Sequence, residues 1–541
     1  MLNRREILKS ATALSGLGML GLPQTSAHAL AQTEELYGVH PFVWSHPEAV
    51  FIMRTRVDIK TNATAKVSAG RDFADRIFLP GVPSGMGGIP LGNRVAIKPN
   101  LTGSDETGDE DPKFLEQIMG MFTDVNFVEG MILGMQGLGI PGSQFYIREM
   151  NGPLQQGYPK MAERVGADIR TFGGFNSNAI HTLDPGDIVW KDVPDGRAVL
   201  RYPYLWPINA PDTLCLNVSK FKTHSMGMTL CAKNFQGALV SPYQHFCHKE
   251  RGLIQMRSSD LNPQVMKHYK ADFERHISEG VIPRWDKPKD SDHYCPWTLD
   301  TWATRTLDSL SASNIGLHIV EGIYGRDGNG FREGPHGGLA KDYMTNVVIF
   351  GMDPILVDIV GHWMGGHEPG NFGFFHVAME RGISELIDPR KIPVYSWENE
   401  TAKRILFKNL PRTSLVTRYL QNNYNDGSES EYHLMDQPFD YSCVQESQSL
   451  MPAEPASTVL YHSGPQARRP HICIEYRLPR SGEARLDIYN ERGECVAVPV
   501  EGKQEAGAHL AVWNIEGVAS GNYQYRFRTN EYSVQGDLYV V

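Results

Sequence analysis

Lys220, Phe221, Lys222, Thr223 and His224 directly follow the apolar run of residues 214–218, and Lys233, Asn234 and Gly237 come one helical stretch later. Amines and an imidazole placed where a strand stops suit the capture of an anion, because ligands of open α/β sheets bind outside the carboxyl ends of the strands. Other apolar runs end in the same kinds of residue. Lys98 and Asn100 follow residues 95–97, and Glu321 follows residues 317–320 and opens a glycine-rich stretch that includes Gly328 and Gly330. Asp353 follows residues 347–350. A parallel sheet would bring all four groups to one edge. There Lys98, Lys220 and Lys222 would hold carboxylate, phosphate or sulfate oxygens by charge-assisted hydrogen bonds. Lys233, Asn234 and Asn100 would add contacts, and the backbone at Gly328 and Gly330 would offer N–H groups to the anion. His224 and Glu321 would divide the proton transfer.

The elements that must position these residues follow from the apolar pattern. Residues 50–53, 95–97, 145–147, 317–320 and 347–350 have strand character, with a further strand at Ile169. Val125, Val128, Met131, Ile132, Met135 and Leu138 recur at helical spacing behind Thr123 and Asp124, either of which suits the cap. Residues 155–165 are expected to be helical, as is the segment holding Lys233 and Asn234 from about residue 225. Asp353 followed by Pro354 is a helix start, with Asp at the cap and Pro at the first turn. Strands alternating with helices predict an α/β domain over 40–400, with a mostly parallel sheet flanked by helices. Residues 403–419 are expected to form a basic amphipathic helix inside a 401–470 connecting region, whose end is rich in Pro, Ser and Ala. From residue 471 the period changes to strict alternation, which predicts a small all-β sandwich over 471–541.

Composition limits the function classes. The chain has 541 residues, enough for two or three domains, and a formal net charge of −10. That charge argues against general nucleic-acid binding, which needs a basic face. Its seven cysteines contain no CxxC pair, so neither an iron–sulfur cluster nor a cysteine zinc site is expected. His245, Cys247 and His248, taken with His224, have the spacing of a transition-metal site, and His362 and His367 form a weaker pair. No metal is assigned on that basis, and the cofactor is left open.

At the amino terminus Arg4, Arg5, Ile7, Leu8 and Lys9 precede a short apolar stretch and the small-residue site Ala27, His28, Ala29. Residues 1–29 resemble a twin-arginine export signal. The resemblance implies passage through that export machinery to the periplasm or cell surface, with no transmembrane segment left in the mature chain.

Five motifs in order resemble the family catalogued as domain of unknown function 362: Ile97 to Asn100, Lys220 to His224, Lys233 to Gly237, Gly328 to Gly330, and Asp353 to Asp358. The resemblance spans roughly residues 50–395 and supplies fold and position but no established reaction. The family pattern leads one to expect Asp where this chain has Glu321. The ferredoxin modules of some relatives have no counterpart in its cysteines. Residues 506–513 followed by 519–525 resemble the immunoglobulin-like domain of the flagellar hook-capping protein, and secretion sorting domains share that pattern. The sequence therefore points to an exported protein, expected to be an enzyme for a small or sugar-derived acidic substrate. A non-catalytic anion-binding protein is the alternative.

Overall fold

Thr213–His224 is a twelve-residue strand buried along its whole length, which only a strand covered on both faces can be. The computed structural model describes residues 35–101, 112–150, 157–171, 179–224, 226–244, 256–264, 296–335, 338–398, 401–418, 432–444, 461–463, 471–478, 480–530 and 533–540. The expected export signal, His245, Cys247, His248, and most of the Pro- and Ser-rich connection lie outside these residues.

Ten strands build the main sheet: β1 (Val50–Arg54), β2 (Arg94–Pro99), β3 (Phe145–Glu149), β4 (Asp168–Thr171), β5 (Thr213–His224), β6 (Gly227–Met228), β7 (Leu317–Arg326), β8 (Asp342–Gly351), β9 (Val394–Glu398) and β10 (Thr401–Arg404). Their order is β10-β9-β1-β8-β7-β5-β2-β3-β4, with β6 hairpinned onto β5. The run β7-β5-β2-β3-β4 is parallel throughout. The sheet is mixed nonetheless, because β8 lies antiparallel to both β7 and β1, while β9 runs parallel to β1. Every parallel strand therefore ends at one edge, and β8 ends at the other.

That reversal corrects one expectation. Asp353, just beyond β8, stands at the edge opposite the lysines, where its carboxylate accepts from the Ile355 and Leu356 N–H groups as a helix cap.

Helices cover both faces. Along β5 Leu214, Leu216 and Val218 enter one apolar cluster and Cys215 and Phe221 the other, the period of two expected of a strand. On the first face lie α1 (Ala63–Ile77), α2 (Val125–Gln136) and α3 (Tyr158–Val165), contributing Phe73, Phe127, Met131 and Met161. The second carries α4 (Cys231–Phe235), α5 (Pro296–Ser311) and α6 (Pro354–Met364), with Phe235, Leu307 and Ile355. Among the described residues no single helix is long and apolar enough to cross a membrane.

Two other expectations are corrected. The chain after His224 doubles back as β6 rather than entering a helix near residue 225. The segment from Lys403 also does not coil into a helix, because Thr401–Arg404 pairs with β9 and Pro411 follows a single turn at Phe407–Asn409.

The carboxyl-terminal part is all β. Strands β11 (Tyr461–Ser463), β12 (His471–Leu478) and β15 (Gly507–Asn514) form one sheet. β13 (Gly482–Asn490), β14 (Cys495–Gln504), β16 (Gly521–Thr529) and β17 (Ser533–Val540) form another. Ile474 and Trp513 from the first share a core with Leu486 and Phe527 from the second.

Candidate functional site

The lysines lie inside strands rather than after them. β5 continues four residues beyond Lys220 and β7 five beyond Glu321. Lys220 and Lys222 share one face of β5, while Phe221 packs into the opposite cluster, as their spacing requires. In register, Lys220 lies beside Glu321, Lys222 beside Arg326, and Lys98 beside Asn217.

Two buried ionic networks flank β5. In the first, Lys220 Nζ is 2.7 Å from Glu321 Oε2 and lies over the Tyr324 ring at 3.4 Å. That Glu321 oxygen also accepts from the Asp124 N–H (3.1 Å), and its other oxygen accepts from the Ile323 N–H (3.0 Å). Asp124, the cap of α2, accepts from Lys66 of α1 and from the Tyr324 hydroxyl, each at 2.6 Å. Burial pushes Glu321 up, opposed by Lys220. Burial acts on Asp124 in the same sense, but Lys66, Tyr324 and Lys220 together hold it below the usual carboxylate range.

In the second network Lys98 Nζ donates to Glu149 Oε2 (2.7 Å), to the Pro99 carbonyl (2.6 Å) and to Asn234 Oδ1 (3.2 Å). The Asn234 amide returns bonds to the Lys98 carbonyl and Asn217 Oδ1. Gly237 closes over this pair. A Cβ there would collide with Glu149 Oε1 and lie 2.7 Å from Lys98 Cε, so only glycine admits the contact.

Two residues beyond Lys220 on β5 lies Lys222, buried, with its amine donating to the Met121 carbonyl (2.7 Å) and the Gly330 carbonyl (2.9 Å). Among the described residues no carboxylate makes an ion pair with it. Burial first, then the positive charges of Lys233, Arg326 and Lys220, hold this amine well below an ordinary lysine. Burial first, and less strongly Lys233, also lowers Lys98, while burial first, then Asp124, Glu321 and Glu149, raises Tyr158. The lysines and acids thus act on one another electrostatically. Beyond Arg326 a cavity of about 310 Å³ opens at the same edge, lined by Lys60, Arg332, Lys341, Asp342 and Tyr343.

Residues 95–362 match the family model described as Domain of unknown function (DUF362). The match covers just under half of the chain, and this segment is similar to that family. A comparison with curated proteins returned no match. The matched segment contains β2 from Val95, β3 to β8 and most of α6, so it holds both networks except Lys66. Strands β1, β9 and β10, which complete its sheet, lie outside the match.

Within the matched segment the expected site residues take different places. Lys98, Lys220, Lys222, Asn234 and Glu321 are drawn together by the networks, and Lys233 stands half-buried on α4 close enough to depress Lys222. Asn100 is buried, with its backbone N–H bonded to Thr123 and its Oδ1 without a partner among the described residues. His224 lies two residues beyond Lys222 on the same face of β5, about 7 Å along an extended strand, and both side chains meet Phe331. There its Nδ1 accepts from the Met226 N–H (3.2 Å).

The glycine loop also differs from expectation. Gly328 and Gly330 adopt φ of 87° and 85°, but the Gly328 N–H donates to the Val416 carbonyl and the Gly330 carbonyl receives Lys222. The loop therefore presents a carbonyl to the amine, where the sequence suggested an N–H for an anion.

Glu149, Lys66 and Tyr324 escaped the sequence reading, and Asp124 entered it only as a helix cap. Glu149 ends β3, so the rule that singled out Lys98 would have found it. Among the described residues no group of three His, Cys, Asp or Glu is placed to hold a metal. His362 packs on Phe372 and Phe375 with Nδ1 on the Asp358 carbonyl, and burial pushes it down to about 4.

Proposed function

We propose that the carboxyl edge of the matched segment binds a small acidic molecule and that the chain is an enzyme acting on it. The observation that carries this reading is Lys222, a buried amine with two carbonyl partners and three cationic neighbours. A carboxylate, phosphate or sulfate would relieve that field, with Lys222 beneath it, Lys233 at its rim and the unpartnered Asn100 Oδ1 available to a ligand hydroxyl. Each carboxylate of the two networks is already engaged: Glu321 and Asp124 hold lysines and backbone N–H groups, and Glu149 holds Lys98. Proton transfer therefore falls to an amine. Lys222, whose burial and cationic neighbours favour the uncharged amine, takes the proton from the substrate in place of the His224 and Glu321 pair suggested by sequence.

Calorimetric titration with phosphate, sulfate and a sugar acid tests the reading. Lys222→Met is expected to weaken binding at least tenfold, whereas Arg71→Gln, at an exposed position on α1, leaves it within twofold. Equal affinity in wild type and Lys222→Met would remove the proposal. The engagement of every carboxylate equally suits a non-catalytic anion-binding protein. Binding without turnover of any of these acids, at a pH where Lys222 is neutral, would decide for that alternative. The twin-arginine resemblance of residues 1–29 supports an exported, periplasmic or cell-surface protein, with the immunoglobulin-like carboxyl-terminal unit as an accessory module.

A further inference from the structure

β1 and β9 are parallel neighbours outside the DUF362 match, with Trp397 in register with Met53, and they end at the same sheet edge as β5. Beyond their carboxyl ends, against α1, lies a cavity of about 630 Å³, within the size range of small-molecule sites. Its polar lining is unequal in sign and in use. Arg54 and Arg56 are exposed in its wall, and their side chains make no hydrogen bond or ion pair with any described residue. Arg76 is held by Asp72 at 2.8 Å, and Ser396 donates to Glu398. Trp397 is 3% exposed, and its buried indole N–H has no acceptor among the described residues. The side chains of the lining without a described partner are therefore the two guanidinium forks, which only donate, and the Ser68 hydroxyl, while the Asp72 and Glu398 carboxylates are engaged by Arg76 and Ser396. An aqueous cleft of this kind is matched by an acceptor-rich ligand, and paired guanidinium groups favour planar or tetrahedral oxygen anions.

We propose that this cavity is a second binding site, for a small molecule bearing a phosphate, sulfate or carboxylate group gripped by Arg54 and Arg56 against the Trp397 wall. The site is independent of the lysine networks, since neither arginine touches them.

Titration of the full chain with inorganic phosphate, sulfate and citrate, read by calorimetry and tryptophan fluorescence, tests it and separates the three anion sources. Binding is expected for at least one anion and to weaken tenfold or more in Arg54→Gln/Arg56→Gln, two exposed positions where the fold tolerates the change. Arg71→Gln, an exposed position on α1 outside the cavity, makes half that charge change and is expected to leave affinity alone. Trp397→Phe is expected to remove the fluorescence response. The proposal is overturned if none of the three anions binds, if the double arginine variant binds as wild type, if Arg71→Gln weakens binding as much, or if Lys222→Met abolishes the same signal. Circular dichroism on each variant separates loss of the site from loss of the fold.

Discussion

Lys222 has a charge that the fold discourages, and the discouragement is measurable as a pH dependence of stability. Burial and its cationic neighbours hold the native amine well below 10.5, its value in an open chain. Between the two values the unfolded chain binds more protons than the native one, so stability rises with pH across that window and falls as pH drops through it. Lys222→Met removes the group while keeping the length of the side chain. The stability difference, wild type minus variant, is expected to climb as pH rises toward the open-chain value of about 10.5 in urea unfolding, and to level off above it. A flat difference would mean that the native amine is charged and compensated.

The paired lysines differ from Lys222 in having a carboxylate at hydrogen-bond distance. Lys98→Met strands Glu149 in the interior and is expected to cost about 3–5 kcal/mol, while Lys98→Met/Glu149→Leu recovers most of that loss. A double-variant cycle by chemical denaturation reads both values. At this scale the sequence showed which residue types gather, because apolar runs ending in Lys, Asn or Glu are visible in one dimension. Their partners were not visible, since Glu149 lies 51 residues from Lys98 and Glu321 lies 101 from Lys220.

The elements explain why those partners meet. Lys66 reaches Asp124 only because α1 and α2 cross with their backbones almost in contact. A Cβ on Gly130 would collide with the Val67 carbonyl, and one on Gly70 with the Phe127 carbonyl. Gly130→Ala must push the helices apart, with an expected loss of about 1–3 kcal/mol, the usual range for overpacking. The movement would also lengthen the 2.6 Å bond from Lys66 to Asp124. A thermal midpoint unchanged from wild type would show that the crossing yields without cost.

Strand positions were legible in the sequence where apolar runs were pure, as at β1, β2 and β3. Strand ends were not, because β5 and β7 continue through Lys220, Lys222 and Glu321. Charged residues extend a buried strand when each finds a partner, and that information lies in the neighbouring strand rather than in the run itself. The direction of β8 was equally hidden: an apolar run looks the same in either orientation.

At the scale of the molecule, the carboxyl-terminal β unit is joined to the main body by more than the chain. β15 is apolar on both faces. Ala511 and Trp513 enter the core between the two small sheets, while Leu510 and Val512 turn to the cluster that includes Trp397 and Ala402. Arg404 of β10 also donates to the Ala506 carbonyl at 3.3 Å. A pendant module needs one apolar face on such a strand, so the second face is the signature of docking. The alternation from residue 471 onward predicted the strands but not the seam, because a two-faced strand and a core strand share one pattern. Leu510→Asp places a charge in the seam without altering the Ala511 and Trp513 face. Hydrogen exchange is then expected to quicken at Thr401–Arg404 while protection at Gly482–Asn490 persists, and calorimetry is expected to split one transition into two. Unchanged exchange at β10 would mean that the seam contributes nothing to holding the edge of the main sheet.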